Sequence, residues 1–428
     1  MLGVDSALCG RLPYAEQALA AMGNAIQVIF LLMVAMLGLL VGTVALVARA
    51  YGGGDTTRLN HLLVQSTQLT VLVGTVVALI GVAIAEPILL ALGSTPEAAA
   101  IGADYLRPMM LGTPFFYLTL LYAGIMRGVG NTRIPFLIAL GANLINAVLN
   151  YGLILGNLGL PALGVRGSAI GTVTAQFLSV VAFVIVMRRG AIPNLYLPLQ
   201  VRRIDRPLAT ELYRIGWPAA IDLLVLNAGF LTAIAMLGRI SETTVAAHNI
   251  GLRVQALAFV PGLGIGQATG AMIGQALGGA NVERARAVAR ASLVLCFTIM
   301  TVLAIAIFLA AAPLTWIFDV APGSTLEGYA VEWMKILGYA MPPAAINIAL
   351  IGVLQGAGAT RTSLRINIWS TLAIQVPLAL LLGFGFGLGE IGVWWSFPLG
   401  FLAKAAMIYV SFKRERWAIT GVRIKQMV

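Results

Sequence analysis

Eleven unbroken apolar runs and part of a twelfth leave this chain few folds to choose from. The runs fall at 1–9 (partial), 24–48, 62–85, 105–126, 134–155, 167–187, 213–237, 245–274, 288–312, 332–354, 366–386 and 392–411. A complete run is close to the ~20 residues that carry a helix across ~30 Å of hydrocarbon. Backbone groups in lipid must be paired within the segment or in a closed barrel, and these runs are too long for barrel strands and do not alternate. They predict an all-α, polytopic membrane protein. Composition agrees: AVILMFWYC supplies 60% of 428 residues and only 10% are charged, whereas a soluble domain has about 25% charged residues.

The charges that remain read as topology. Of the 27 Lys and Arg, 20 fall in one alternating set of loops together with the C-terminal tail, 5 fall in the other set, and Arg253 and Lys404 fall within spans. The positive-inside rule puts the first set in the cytoplasm, so the expected location is the cytoplasmic (inner) membrane with the C-terminus inside. Lys404, near a cytoplasmic end, is expected to snorkel to the interface. Arg253 is deeper and needs a polar cavity or a partner. The net charge of +11 is spread between hydrophobic runs and forms no basic face, so nucleic acid is not an expected partner. Cys9 and Cys296 lie in separate apolar runs and read as packing residues.

The chain also repeats itself. Arg127-Gly128-Val129-Gly130-Asn131-Thr132-Arg133 recurs as Gln355-Gly356-Ala357-Gly358-Ala359-Thr360-Arg361, and Ala20-Ala21-Met22 is echoed by Ala246-Ala247-His248. Ala48–Asp55 matches Gly274–Asn281, and Gly164-Val165 matches Gly392-Val393. Each copy holds an even number of spans, so both insert with one orientation and are expected to be related by a pseudo-two-fold axis along the membrane normal. The expected organisation is an N-terminal lobe at 1–189, a cytoplasmic linker at 190–212, a C-terminal lobe at 213–411 and a basic tail at 412–428. By the same register the chain begins inside its first helix, and the expectation is a start assigned too late or a natural truncation.

No enzyme motif survives inspection. His61 and His248 are the only histidines, there is no GxSxG, and the cysteines are unpaired. The series Gly262, Gly266, Gly270, Gly274 and Gly278 follows no strand and carries no GK[ST] signature, so it reads as a helix-packing face. With no Walker motif, uphill transport would draw on an ion gradient. No cofactor is expected.

Carboxylates carry the sharpest signal. Of the 16 Asp and Glu, only Asp5 and Asp222 fall well inside apolar runs. An ionised carboxylate at mid-membrane costs at least ~2.5–3.5 kcal/mol, so it must be neutralised, paired or wet. Asp5 reads as a proton or cation acceptor, and its counterpart in the repeat is Ala233. Asn146 and Asn150 share one face of the fifth span and should meet Asp5, water or another helix. Thr172 could add an oxygen to the same pocket or bond its own helix. Asp222, Asn227 and Arg253 are the candidates for a substrate cavity, although Asp222 could equally engage Arg214 or headgroups.

With these residues in view, the sequence resembles the multidrug and toxic compound extrusion (MATE) family, within a larger group that includes lipid-linked polysaccharide flippases. The resemblance runs from Val4–Gly10 to about residue 411 and includes Ala45–Asp55, Arg127–Arg133 with Pro135, and Ala246-Ala247-His248-Asn249. It implies two six-helix lobes around a cleft and export coupled to inward flow of protons or sodium. Asp5, Asn146 and Thr172 match the family's N-lobe cation pocket, and Asn150 stands where some members carry an acid. Leu226 and Ala344 stand where members with a C-lobe sodium site carry acids, so that site is expected to be absent.

The expected function is therefore a secondary antiporter, acting as a monomer in the bilayer, that exports small organic, cationic and amphipathic compounds in exchange for protons, with sodium as the alternative ion. A flippase for a lipid-linked saccharide or phospholipid is the second reading, disfavoured because Arg253 is the single basic residue clearly mid-span. An ion channel is the third, disfavoured by the lack of a polar pore ring.

Overall fold

The computed structural model describes residues 2–13, 15–198 and 203–418, so the far end of the basic tail lies outside the described residues. Their regular structure is entirely helical. By contacts the chain divides into two compact units, residues 1–51 with 55–213 and residues 52–54 with 214–428.

The N-terminal unit holds α1 (Leu2–Cys9), α2 (Ala15–Gly52), α3 (Thr56–Ala91), α4 (Pro96–Leu111), α5 (Thr113–Gly128), α6 (Arg133–Leu155) and α7 (Val165–Arg188). Side chains that satisfy orphan N–H groups mark where helices start: Asp55 accepts from the backbone of Arg58, and Thr95 accepts from that of Ala98 ahead of Pro96. Cys9, Met22, Tyr105, Leu106, Ile154 and Val165 belong to one buried cluster.

The apolar run 105–126 is not one straight span. It divides between α4 and α5, which meet at Gly112 with a bend of 52°. Pro114, in the first turn of α5, has no N–H to extend the ladder of α4. Gly112 lies so close to Val173 of α7 that a Cβ would overlap that side chain. Hydropathy does not register either cause.

α8 (Arg206–Gly238) leads into the C-terminal unit, which continues with α9 (Glu242–Gly278), α10 (Val282–Leu309), α11 (Ala311–Trp316), α12 (Thr325–Gly356), α13 (Thr360–Asn367), α14 (Val376–Leu380) and α15 (Gly389–Lys413). Among the described residues ten helices are long and apolar enough to cross a bilayer, or eleven if the bent α4–α5 pair counts as one span. The expected run at 366–386 is helical but not regular: Ile368–Gln375 and Leu381–Gly385 are π-helical. Val376 N–H bonds the Thr371 carbonyl and Phe386 N–H bonds that of Leu381, both five residues back. Pro377 follows the first stretch and cannot supply an N–H rung.

The glycine face of α9 packs as expected. A Cβ on Gly352 of α12 would overlap the Gly266 carbonyl, and one on Gly356 would overlap that of Gly270. The two helices touch through their backbones, which small residues alone permit.

Four side chains at the start of α3 hold the segment that leads to α8. Asn60 donates to the Asn194 carbonyl (3.1 Å) and accepts from Tyr196 N–H (2.8 Å). Gln65 donates to the Arg203 carbonyl (2.9 Å) and accepts from Asp205 N–H (3.0 Å). His61 Nε2 lies 3.0 Å from Asp205 Oδ2, and Arg58 lies 3.4 Å from Glu211. The hydrogen bond from His61 holds the Asp205 carboxyl below its usual range. Its contribution is therefore present above the ordinary carboxylate pKa and is lost as pH falls through the lowered value. Both partners are a third exposed, so this pair contributes little, and the amide clamps dominate. Gln65→Ala removes two hydrogen bonds, about 1–2 kcal/mol net, and should speed tryptic cleavage after Arg203 roughly 5–30-fold at neutral pH. His61→Ala should change it far less. Equal rates for the two variants would show that the amide clamp does not hold the segment.

Candidate functional site

The site is built on the α6–α7 hairpin. α6 ends on Gly156 in the left-handed conformation (φ 76°), and Leu163 N–H returns to the Leu153 carbonyl at 2.8 Å. α7 then presents glycines to α6: a Cβ on Gly167 would overlap the Leu153 carbonyl, and one on Gly171 would overlap Asn150 Oδ1. This close approach sets Asn146 and Asn150, one turn apart on α6, against Thr172 of α7. α1 packs on both helices and brings Asp5 to them.

Asp5, Asn146 and Asn150 are fully buried and Thr172 is 5% exposed. Asn150 Nδ2 donates to Asp5 Oδ1, Thr172 Oγ1 donates to Asp5 Oδ2 at 3.2 Å, and Asn146 Nδ2 donates to Thr172 Oγ1 at 3.0 Å. The sequence scattered these four residues over three helices, and the structure brings all of them into one network. Asn143, on the flank, is exposed and bonds the Ala139 carbonyl of its own helix.

The donors all serve the charged form of Asp5, and two acceptors are left over. Asn146 Oδ1 and Asn150 Oδ1 are buried without a hydrogen-bond partner among the described residues. A neutral carboxyl has an O–H to give, and those amide oxygens are where it could go if the amides turn. Carboxylate, amide and hydroxyl oxygens also suit a hard cation. The pocket can thus hold either a bare carboxylate or a carboxylate with a positive ion on it, through different hydrogen bonds.

Tyr105 of α4 was not singled out by sequence reasoning. It is fully buried, its hydroxyl has no hydrogen-bond partner among the described residues, and it packs in the same buried cluster as Cys9 of α1. In the sequence it stands at the edge of the apolar run 105–126, beside Asp104 and Arg107. The bend at Gly112 divides that span and makes Tyr105 part of a separate helix.

Gly171 gives the pocket a test. A methyl group there must push the Asn150 amide away from Asp5. Losing a hydrogen bond to a buried charge costs about 1–3 kcal/mol. Gly171→Ala should therefore cut ion-driven transport several-fold without loss of folded protein, and Asn150→Ala should match it. Wild-type transport by both variants would dismiss the Asn150–Asp5 bond from the cycle.

The C-terminal candidates do not form one group. Asn227 is half-buried and bonds only the Leu223 carbonyl of its own helix. Arg253 is exposed, with its guanidinium carbon 6.0 Å from the ring centre of Phe318 in the turn after α11, so it has an aromatic partner. Asp222 is buried and accepts from Ser363 Oγ at 2.8 Å, while Arg214 is exposed. Lys404 does not snorkel: it is 5% exposed and donates to Asn367 Oδ1 at 2.8 Å, an acceptor inside the bundle. Leu226 and Ala344 offer no charge, and Ala344 is buried in the apolar core.

The comparisons with known proteins agree with this architecture. A probable multidrug resistance protein NorM of Bradyrhizobium diazoefficiens is 32% identical over 429 residues, covering 98% of this chain and 90% of that protein. One of Thermotoga maritima with the same description is 26% identical over 99% of this chain and 91% of its own length. Among solved structures, a MATE protein in its bent conformation superposes with a TM-score of 0.89 at 22% identity, covering 97% of this chain and 91% of that one. An outward-facing multidrug resistance MATE family transporter of the MOP superfamily gives 0.88 at 23%, with the same coverage. The MatE family description matches residues 1–152 and 218–381. With that match spanning most of both units, the chain belongs to the MatE family and is a multi-pass membrane transporter.

Proposed function

We propose that the protein is a secondary antiporter that exports small organic cations of amphipathic character in exchange for protons. The observation that carries this reading is the Asp5 pocket: one carboxylate, fully buried, with two donors for its charged form and, among the described residues, two unfilled amide acceptors in the same network. Such a group answers to protons on one side and to helix packing on the other. The relatives described as multidrug resistance proteins support the substrate class.

Protonation from outside removes the charge that holds Asn150 and Thr172 as donors and lets α1 settle differently against α6 and α7. Release of the proton to the cytoplasm restores the charged network. A carboxylate with two hydrogen-bonding states supplies the two-state element that alternating access needs. Sodium is the alternative ion, since the same oxygens suit it. The flippase reading draws less support: Arg253 is exposed beside Phe318, and Lys404 is engaged inside the C-terminal unit.

The test is efflux of ethidium from proteoliposomes under an imposed pH gradient, with a sodium gradient as control. Export driven by pH alone is expected. Strict dependence on sodium would keep the pocket and replace the ion, and export under neither gradient would reject the antiport reading.

A further inference from the structure

The C-terminal unit holds a second buried ionic group that the Asp5 mechanism leaves unused. Asp222, sixteen residues into α8, is 6% exposed, and Lys404 of α15 is 5% exposed. They do not pair directly, because Asn367 stands between them. Its Nδ2 donates to the Asp222 backbone carbonyl (2.8 Å), and its Oδ1 accepts from Lys404 Nζ (2.8 Å) and Thr371 Oγ1 (3.1 Å). Ser363 Oγ donates to Asp222 Oδ2, whereas Asp222 Oδ1 is buried with no hydrogen-bond partner among the described residues. Lys404 is the charged group that acts on Asp222. Arg214, Arg361 and Arg365, on the helices that carry Asp222 and Ser363, are exposed.

A purely structural ion pair would gain most from contact, and even then apolar replacements are often as stable. Here contact is withheld, and the carboxylate keeps one oxygen bare. Ionisable groups retained inside a membrane bundle mark ion pathways and proton relays. The bridging Asn367 is also the last residue before the π-helical stretch Ile368–Gln375, which carries Thr371, and π-helical turns inside α-helices are frequent at functional sites. A shift of that stretch toward α geometry would move Asn367 and alter how well it insulates the two charges.

We propose that Asp222, held by Ser363, and Lys404, linked to it through Asn367, form a second proton-binding centre in the C-terminal unit. A proton arriving from water forms an O–H bond at Asp222 Oδ1 and leaves the Lys404 ammonium as the sole charge. On release, the O–H bond breaks, the proton returns to water and the carboxylate charge opposite Lys404 is restored. No other bond changes. That the proton exchange belongs to a transport cycle rests on the antiport reading above, but the existence of the centre does not.

The centre is tested on the full chain reconstituted in lipid, by infrared difference spectra between acid and alkaline buffer. A protonated-carboxyl C=O band is expected that persists in Asp5→Asn and disappears in Asp222→Asn. Ser363→Ala, which keeps all charges, guards against misfolding of Asp222→Asn and should shift that band by removing a hydrogen bond. A carboxyl signal unaffected by both Asp222→Asn and Ser363→Ala would overturn the proposal and leave Asp222 a permanent counter-ion. The role in transport is read separately: Asp222→Asn combined with Lys404→Gln should export ethidium with one proton fewer per molecule, measured from the pH gradient at which net flux stops. An unchanged ratio would overturn the coupling role. The Asp222 band in a protein that exports nothing would keep the centre and reject the antiport reading.

Discussion

Replacing Asp5 by Asn should leave ethidium binding to the purified protein within a few-fold of wild type and reduce pH-driven export about 100-fold. The size follows from what the carboxylate contributes to the two states. A charged side chain at mid-membrane costs at least ~2.5–3.5 kcal/mol, and at about 1.4 kcal/mol per decade a bias of that size shifts a two-state equilibrium roughly 100-fold. Asparagine copies the neutral form, keeps the volume of the side chain and can still accept from Thr172, so the fold is retained. It cannot take up and return a proton. Binding and efflux assays on the same preparation check this. Undiminished export by Asp5→Asn would remove this residue from coupling altogether.

The second large effect is expected far from any charge. At Gly356 a Cβ would run into the Gly270 carbonyl, which belongs to a neighbouring backbone and cannot rotate away. Overpacking costs about 1–3 kcal/mol where side chains can adjust, and here α9 and α12 must separate along their whole contact. Gly356→Ala should lower the melting temperature in detergent, and Gly356→Val should leave less than roughly a tenth of the protein as a monodisperse species, since each ~1.4 kcal/mol is tenfold. Fluorescence-detected size exclusion reads both. A wild-type profile for Gly356→Val would mean that the two backbones do not meet here.

What the sequence revealed, and what it concealed, divides along physical lines. Hydropathy is a sum over side chains, so the crossings were legible from length and apolarity alone. The bend at Gly112 and the π-helical stretches were not, because they arise from missing N–H groups and close backbone approaches that no sum records. The pocket was legible for a related reason. Charge inside an apolar run is costly, so Asp5 stood out, and Asn146 with Asn150 followed from helical periodicity. Thr172 was weak alone and gained its meaning from the glycines that bring α7 against α6. Tyr105 escaped because a tyrosine near the end of a run is ordinary. Lys404 was misread because depth in a span was judged without its neighbour Asn367, which offers the ammonium an acceptor inside the protein.

The π-helical stretches also bear on how this chain can change length. A helical turn closed over five residues holds one residue more than an α-turn closed over four, so Ile368–Gln375 and Leu381–Gly385 each carry a surplus residue. Deleting a residue from an ordinary span rotates everything beyond it by ~100° and turns a lipid-facing side chain inward. Deleting Leu372, which is 44% exposed, would instead let the first stretch relax to α geometry while α14 and α15 keep their phase. A lineage could thus gain or lose a single codon here without scrambling the bundle, which makes this helix the natural place for related chains to differ by one residue.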